Sequence, residues 1–236
     1  GSSIQIDGTK IILNLSLTIP DNIGLQLDEN IVCGVDLGIA IPAYCSLNNS
    51  EYIKKSIGNK NDFLHIRTKI QNQRRQMQKR LQYIKGGHGR NKKLKALDMF
   101  TDKEKNFVKT YNHFISKNII DFAIKNRAKY INMEGLNSEG FNDRILRNWS
   151  YYQLQQYVEY KAKQYGIEVR YVDPYHTSQN CSQCGHWEEG QRISQSEFKC
   201  KSCGYEANAD FNASRNIAKS NKFVKNNSND LDIINN

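Results

Sequence analysis

Ile31-Val32-Cys33-Gly34-Val35-Asp36-Leu37-Gly38-Ile39-Ala40 is an apolar, β-branched run interrupted by one carboxylate. The pattern predicts a buried strand over 31–37. A carboxylate there costs several kcal/mol unless a cation or hydrogen-bond donors meet it, so partners for Asp36 are expected elsewhere in the chain. Ala128-Lys129-Tyr130-Ile131-Asn132-Met133-Glu134-Gly135 has the same form, a short strand ending in a carboxylate beside a glycine. A third acid, Asp210, stands in the first turn of a helix predicted over 209–219, where it also suits the helix dipole.

Around these stretches the periodicity gives two more strands, 41–47 and 52–57, which with 31–37 form an antiparallel meander. Two helices follow. The first, 62 to about 85, carries Phe63, Ile66, Ile70, Met77 and Leu81 near helical spacing, and Gly86-Gly87-His88-Gly89 ends it. After a basic link the second, 102–126, aligns Phe107, Tyr111, Phe114, Asn118 and Phe122. A helix over 149–165, with a core stripe of Tyr151, Leu154, Val158 and Tyr165, is capped by Gly166 and leads to a strand over 167–172. The order β-β-β-α-α-β-α-β, a cysteine module and a last helix predicts an α/β fold with a mixed five-stranded sheet flanked by helices. If 31–37 and 128–134 lie side by side and the last helix packs at their ends, Asp36, Glu134 and Asp210 converge.

Three carboxylates in one dry site require cations, and two Mg²⁺ (or Mn²⁺) ions about 3.5 to 4 Å apart would neutralise them. Such a pair suits hydrolysis of a phosphodiester. Taken singly, each acid has a plainer role: a turn acceptor at Asp36, a solvated strand end at Glu134, a dipole partner at Asp210. Taken together in a basic chain, they point to a nuclease.

The formal net charge is +10, and Phe63 to Leu97 hold eleven Lys and Arg with no Asp or Glu. A block of this kind calls for a polyanion, nucleic acid ahead of an anionic membrane surface. Its candidate contacts are Arg67, Arg74, Arg75, Lys79, Arg80, Lys92 and Lys93, joined by Arg144 and Arg147 in a later polar loop. The alternative for this hairpin, 62–127, is a dimerisation element, which would make the protein a homodimer. The sequence contains neither a secretory signal nor an apolar run of membrane-spanning length, so a cytoplasmic protein without a membrane partner is expected.

The six cysteines divide into two sets. Cys33 and Cys45 stand alone in strands and read as small buried thiols. Cys181-x2-Cys184-x15-Cys200-x2-Cys203 forms two CxxC knuckles, each followed by glycine, with the spacing of one tetrahedral, structural Zn²⁺ site. This closed site shapes a loop over 176–206; His186, Lys199 and Lys201 are nearby candidates for contact with nucleic acid. At the ends, Gly1-Ser2-Ser3 reads as a tag scar, Ile11 to Ile19 alternates as one strand, and the Asn-, Lys- and Ser-rich segment 220–236 predicts disorder.

Four ordered motifs resemble the RuvC-like nuclease of TnpB proteins and the miniature type V CRISPR effectors: Gly34-Val35-Asp36-Leu37-Gly38; Asn132-Met133-Glu134-Gly135-Leu136; Pro174-Tyr175-His176-Thr177-Ser178 with Cys181, Cys184 and Gly185; and Asn208-Ala209-Asp210-Phe211-Asn212 running on to Ile217. The resemblance implies an RNase H-like fold over 31–175 and 207–219, a split catalytic site of Asp36, Glu134 and Asp210, and an inserted zinc ribbon that binds target nucleic acid. It further implies cleavage of a DNA substrate directed by a guide RNA, with base pairing supplying the sequence and protein reading duplex shape and a short flanking motif. Family members often carry an arginine four residues before the third cysteine. Ser196 stands there in this chain, and Arg192 is the candidate replacement. Asn208 stands where TnpB proteins often have Asp. The family's N-terminal recognition half has its counterpart here only in residues 1–30, expected as the terminal strand of that missing, wedge-like domain. The competing functional classes are a nucleic-acid-binding regulator without catalytic metal, and a strand-joining transposase or recombinase of the same fold.

Overall fold

The computed structural model describes residues 1–18, 24–38, 40–135 and 151–224. Its centre is a five-stranded sheet in the order β5-β4-β3-β6-β7. Strands β3 (Asp28–Asp36), β4 (Ala43–Leu47) and β5 (Ser50–Ile57) form the expected antiparallel meander. Strands β6 (Ala128–Glu134) and β7 (Glu168–Val172) continue the sheet in parallel, so β3 and β6 are neighbours although a helical hairpin separates them in the chain. This is the mixed α/β sheet that the element order predicted.

Strand alternation then assigns the two faces. Cys33 and Val35 point into the main core with Cys45, Leu47, Ile131 and Met133, against Ile115, Ile119 and Phe122 of one helix and Leu154 and Val158 of another. Each such side chain, fully buried, contributes roughly 1.5–3 kcal/mol. The lone thiols Cys33 and Cys45 belong to this core, as expected. Gly34 and Asn132, paired in register, face the other side together with Asp36 and Glu134, and that side is covered by the last helix.

The helical hairpin consists of α1 (Lys60–Gln82) and α2 (His88–Lys125). The second helix starts well before residue 102: the basic link is helical too, because a left-handed Gly87 completes the turn and the chain enters the helix at His88. The buried face of α2 also differs from the aromatic alignment. Phe114 is exposed, while Asn112, Ile115, Ser116, Ile119 and Ala123 pack inward with Phe122. On α1, Ile66 is exposed and Arg67 occupies the seam, where its Nε donates to Glu104 Oε1 of α2 at 2.8 Å. Next in the chain are α3 (Tyr151–Gln164), with the expected stripe, and after β7 a small ribbon of β8 (Glu197–Lys199) and β9 (Glu206–Asn208). The final helix is α4 (Ala209–Lys219).

Both ends depart from expectation. In place of one strand there is a hairpin, β1 (Ser3–Asp7) with β2 (Lys10–Asn14), turned at Gly8-Thr9 and separate from the main sheet. The Asp7-Gly8 pair is the overlooked signal, since a left-handed Gly8 permits a two-residue turn. Ser3, read as part of a scar, is in the ladder. At the other end residues 220–224 are placed against the sheet: Phe223 bridges Val172, and the Val224 N–H donates to the Tyr171 carbonyl at 2.9 Å, while the rest of the predicted tail, 225–236, lies outside the described residues. Among the described residues no helix is long and apolar enough to cross a membrane.

The backbones of helix and sheet come into direct contact at Gly34. A Cβ there would lie 2.1 Å from the Ser214 carbonyl oxygen and 2.4 Å from the Ala218 nitrogen, both backbone atoms of α4. Gly34→Ala should therefore displace α4 and destabilise the protein by about 2 kcal/mol or more in urea titrations; a loss under about 0.5 kcal/mol would show that the helix slides freely.

Candidate functional site

Asp36 and Glu134 end adjacent parallel strands, one step beyond the Val35–Met133 pair, at the carboxyl edge where open α/β sheets gather ligands. Asp210 arrives from the first turn of α4, whose N-cap is Asn208, with its side-chain oxygen accepting from the Phe211 N–H at 3.0 Å. Asn at 208 thus serves as the helix start, a role open to Asn and Asp alike. Asn132 anchors the other end of the helix, its Nδ2 donating to the Ile217 carbonyl at 3.0 Å.

The three acids act on one another electrostatically. Burial, followed by the charges of Glu134 and Asp210, holds the Asp36 carboxyl well above the ordinary carboxylate range, against the pull of Arg192. Burial also raises Glu134, opposed by the Thr177 hydroxyl and Arg192, and raises Asp210, opposed by Arg192. Arg192 Nη2 donates to Asp210 Oδ1 at 3.2 Å and to the Gln195 carbonyl at 2.9 Å. One guanidinium therefore faces three carboxylates. Among the described residues no hydrogen bond reaches the Asp36 carboxylate, and oxygen donors that still lack charge compensation fit hard divalent cations.

Other side chains give these acids their orientation. Thr177 Oγ1 donates to Glu134 Oε1, and the buried Gln155 donates from Nε2 to the Glu134 carbonyl at 2.9 Å. Tyr151 donates its hydroxyl to the Gly38 carbonyl at 2.8 Å, bracing the turn after Asp36. On α4, Asn212 and Asn216 clamp the 177–182 segment: Asn216 Nδ2 donates to the Thr177 carbonyl at 2.8 Å, and Asn212 Nδ2 to the Asn180 carbonyl at 2.7 Å. Sequence reasoning placed Thr177 in a motif and Tyr151 in a core stripe but missed their bonds, and it missed Gln155 altogether, because the partners are remote in the chain. For Asn212 and Asn216 the helical i, i+4 spacing was a usable signal.

The four module cysteines converge in space as well. Their donor atoms all lie within 4.8 Å of one another, with Cys181 Sγ to Cys203 Sγ 3.7 Å and Cys184 Sγ to Cys200 Sγ 3.6 Å. A zinc–sulfur bond of about 2.3 Å makes a tetrahedron with sulfurs about 3.8 Å apart, so the set fits zinc and is far too wide for disulfides. The two knuckles repeat one geometry. Gly185 N–H donates to the Cys181 carbonyl at 2.8 Å and Gly204 N–H to the Cys200 carbonyl at 3.1 Å, and both glycines are left-handed. Burial opposes ionisation of Cys200, but the Cys203 and Ser202 amides outweigh it and hold the thiol at about 6; burial pushes Cys181 up to about 12.

The basic residues have mixed fates. Arg75, Lys79, Arg80 and Lys92 are exposed, Arg74 and Lys93 are half-buried, and Arg67 is committed to Glu104. Arg144 and Arg147 lie outside the described residues.

The mixed sheet with a helix across its carboxylate-bearing edge and an inserted cysteine ribbon defines the chain as an RNase H-like, RuvC-type α/β domain. A family model described as Cas12f1-like, TNB domain matches residues 151–217. The CRISPR-associated endodeoxyribonuclease Cas12f1 of Sulfoacidibacillus thermotolerans is 43% identical over 81% of this chain and 46% of its own length. The putative RNA-guided DNA endonuclease InsQ of Escherichia coli K12 is 30% identical over 66% of the chain and 42% of its own length. A cryo-EM structure of a Cas12f1-sgRNA-target DNA complex superposes with TM-score 0.66 at 32% identity, over 92% of this chain and 55% of that one. The chain belongs to the family of TnpB proteins and miniature type V CRISPR effectors, and it spans about half the length of the curated relatives it matches.

Each donor set can be tested by itself. A carboxyl whose native pKa is raised stabilises the fold below its unfolded value, near 3.8 for Asp36, and that stability is lost as pH rises through the native pKa. Asp36→Asn should accordingly melt about 2 °C or more above wild type at pH 7 without added Mg²⁺, with the gap closing near pH 4; equal melting points at both pH values would contradict it. Freshly purified protein should contain one equivalent of zinc by elemental analysis, and Cys200→Ser should lose it and unfold the ribbon.

Proposed function

We propose that this chain is the catalytic, RuvC-like half of an RNA-guided DNA endonuclease, with Asp36, Glu134 and Asp210 as ligands to Mg²⁺ or Mn²⁺ and the four ribbon cysteines as ligands to one structural Zn²⁺. The observation that carries the proposal is the convergence of three acids from distant segments of the chain: Asp36 and Glu134 at the ends of adjacent parallel strands, and Asp210 in the first turn of the helix packed on Gly34. When bound, a pair of divalent ions supplies an activated water and a counter-charge for the leaving 3′ oxygen. Asp36 and Glu134 would hold such ions from rigid strand ends, and Asp210 from a helix locked against Gly34. Thr177 keeps one Glu134 oxygen occupied and so limits the rotation of that carboxylate. Arg192, close to Asp210 and partly exposed, is suited to bind the scissile phosphate once cations neutralise the acids.

The structural relative is a complex with single guide RNA and target DNA, and both partners come to this chain by that likeness. The exposed lysines and arginines of α1 and α2 provide a sequence-independent wall for a sugar-phosphate backbone.

Asp36→Ala should reduce Mn²⁺-dependent cleavage of single-stranded DNA by more than about 100-fold, since even outer partners of metal ligands cost about 10- to 100-fold. It should also lose the bound Mn²⁺ that electron paramagnetic resonance detects in wild type. Wild-type cleavage by this variant would overturn the assignment. Binding of DNA without cutting under any divalent ion would favour a regulator, and joined rather than hydrolysed ends would indicate a recombinase.

A further inference from the structure

Three aromatic side chains lie outside both hydrophobic cores, two of them on the segment that leads to Thr177 and its bond with Glu134. The ribbon's own core consists of Cys181, Phe198, Cys200 and Ala209, with Tyr205 packed against it. Tyr175, His176 and Trp187 take no part in it. Their rings form a continuous row: Tyr175 and His176 have centroids 3.7 Å apart, and His176 and Trp187 4.6 Å. The outer two are open to solvent, Tyr175 at 73% and Trp187 at 48% exposure.

The row is held rigid from beneath. Gln179 Oε1 accepts from Trp187 Nε1 at 3.0 Å and meets His176 Nδ1 at 3.3 Å, so one amide oxygen fixes two rings. The Tyr175 N–H donates to Asp173 Oδ1 at 3.0 Å, and the Trp187 backbone bridges to Asn180. His176 adopts a left-handed backbone, φ 61°, which a non-glycine residue enters at a cost. The next residue is Thr177, whose hydroxyl is bonded to Glu134 and whose carbonyl is held by Asn216. The aromatic row is thus one residue removed from the acid cluster.

We infer that Tyr175, His176 and Trp187 form a stacking platform for the unpaired bases of a single-stranded nucleic acid whose backbone crosses the carboxylates. This rests on the nuclease reading above and adds to it a mode of holding substrate. Bases offer π faces to proteins only when unpaired, and stacking on exposed aromatic side chains is tolerant of sequence, as a nuclease directed by an external guide requires. Charge agrees. The chain carries +10, and Glu188, next to Trp187 in the chain, is ion-paired with Lys201 at 2.7 Å. A row made only to stabilise the ribbon would bury its rings, whereas here Tyr175 and Trp187 remain exposed.

The test uses the zinc-loaded 236-residue chain with Trp149→Phe, so that Trp187 is the sole tryptophan. Its fluorescence is titrated, without added Mg²⁺, with an oligothymidylate of about 12 nucleotides and with an abasic oligonucleotide of equal length. Quenching by the oligothymidylate and about tenfold weaker binding of the abasic strand are expected. Tyr175→Ala should reduce that preference to less than about threefold, and Tyr175→Phe should retain it. In the otherwise native chain, fluorescence anisotropy of a labelled oligonucleotide should give the same pattern for Trp187→Ala against Trp187→Phe. Equal affinity for base-bearing and abasic strands would overturn the platform, as would an unchanged preference in alanine variants of normal zinc content. Cleavage of both oligonucleotides in Mn²⁺ distinguishes the failures: cutting without base preference removes the platform and leaves the nuclease, while base preference without cutting removes the nuclease reading.

Discussion

At Gly34 the backbone of α4 lies directly on β3, with no room for even a methyl group between the Ser214 carbonyl and the strand. Most of the site depends on this contact. It brings the first turn of the helix, with Asp210, over the ends of β3 and β6, where Asp36 and Glu134 emerge. Strand alternation places Gly34 and Asp36 on the same face, so the residue that admits the helix and the residue that meets its acid are two apart. The Asn132 amide then closes the far end of the helix, and α4 is fixed in both position and direction.

The helix so fixed also holds the cysteine module. Asn212, Asn216 and Lys219 donate to the carbonyls of Asn180, Thr177 and Ser182. The module is therefore attached to the same element that delivers Asp210, and its knuckles shape the segments that reach the acids. Thr177 comes from one side of the module to Glu134, and Arg192 from the other to Asp210. Disruption of the ribbon would disturb the acid site although no cysteine touches it, because both of these contacts originate in the ribbon.

Electrostatics gives the arrangement its direction. Three carboxylates drawn out of water with one guanidinium among them are costly as anions, and burial accordingly raises the carboxyls of Asp36, Glu134 and Asp210. On the nuclease reading proposed above, divalent cations would relieve that deficit.

Much of this was legible in the chain. Asp36 in an apolar strand announced a missing counter-charge, the element order allowed β3 to lie beside β6, and the cysteine spacing anticipated a cluster of four thiols, because each signal is local and periodic. The errors were equally physical. The hairpin β1–β2 rested on a Gly8 turn that hydrophobic alternation does not register, the long α2 continued through a basic stretch read as a link, and Phe114 was assigned to a face that tertiary packing rotated into solvent. Sequence alone therefore determined which groups had to be partnered: three acids and four thiols. Only the tertiary structure decided what meets them, since the positions of Thr177, Gln155 and Arg192 depend on how helices and ribbon pack around a sheet, and no spacing along the chain encodes that distance.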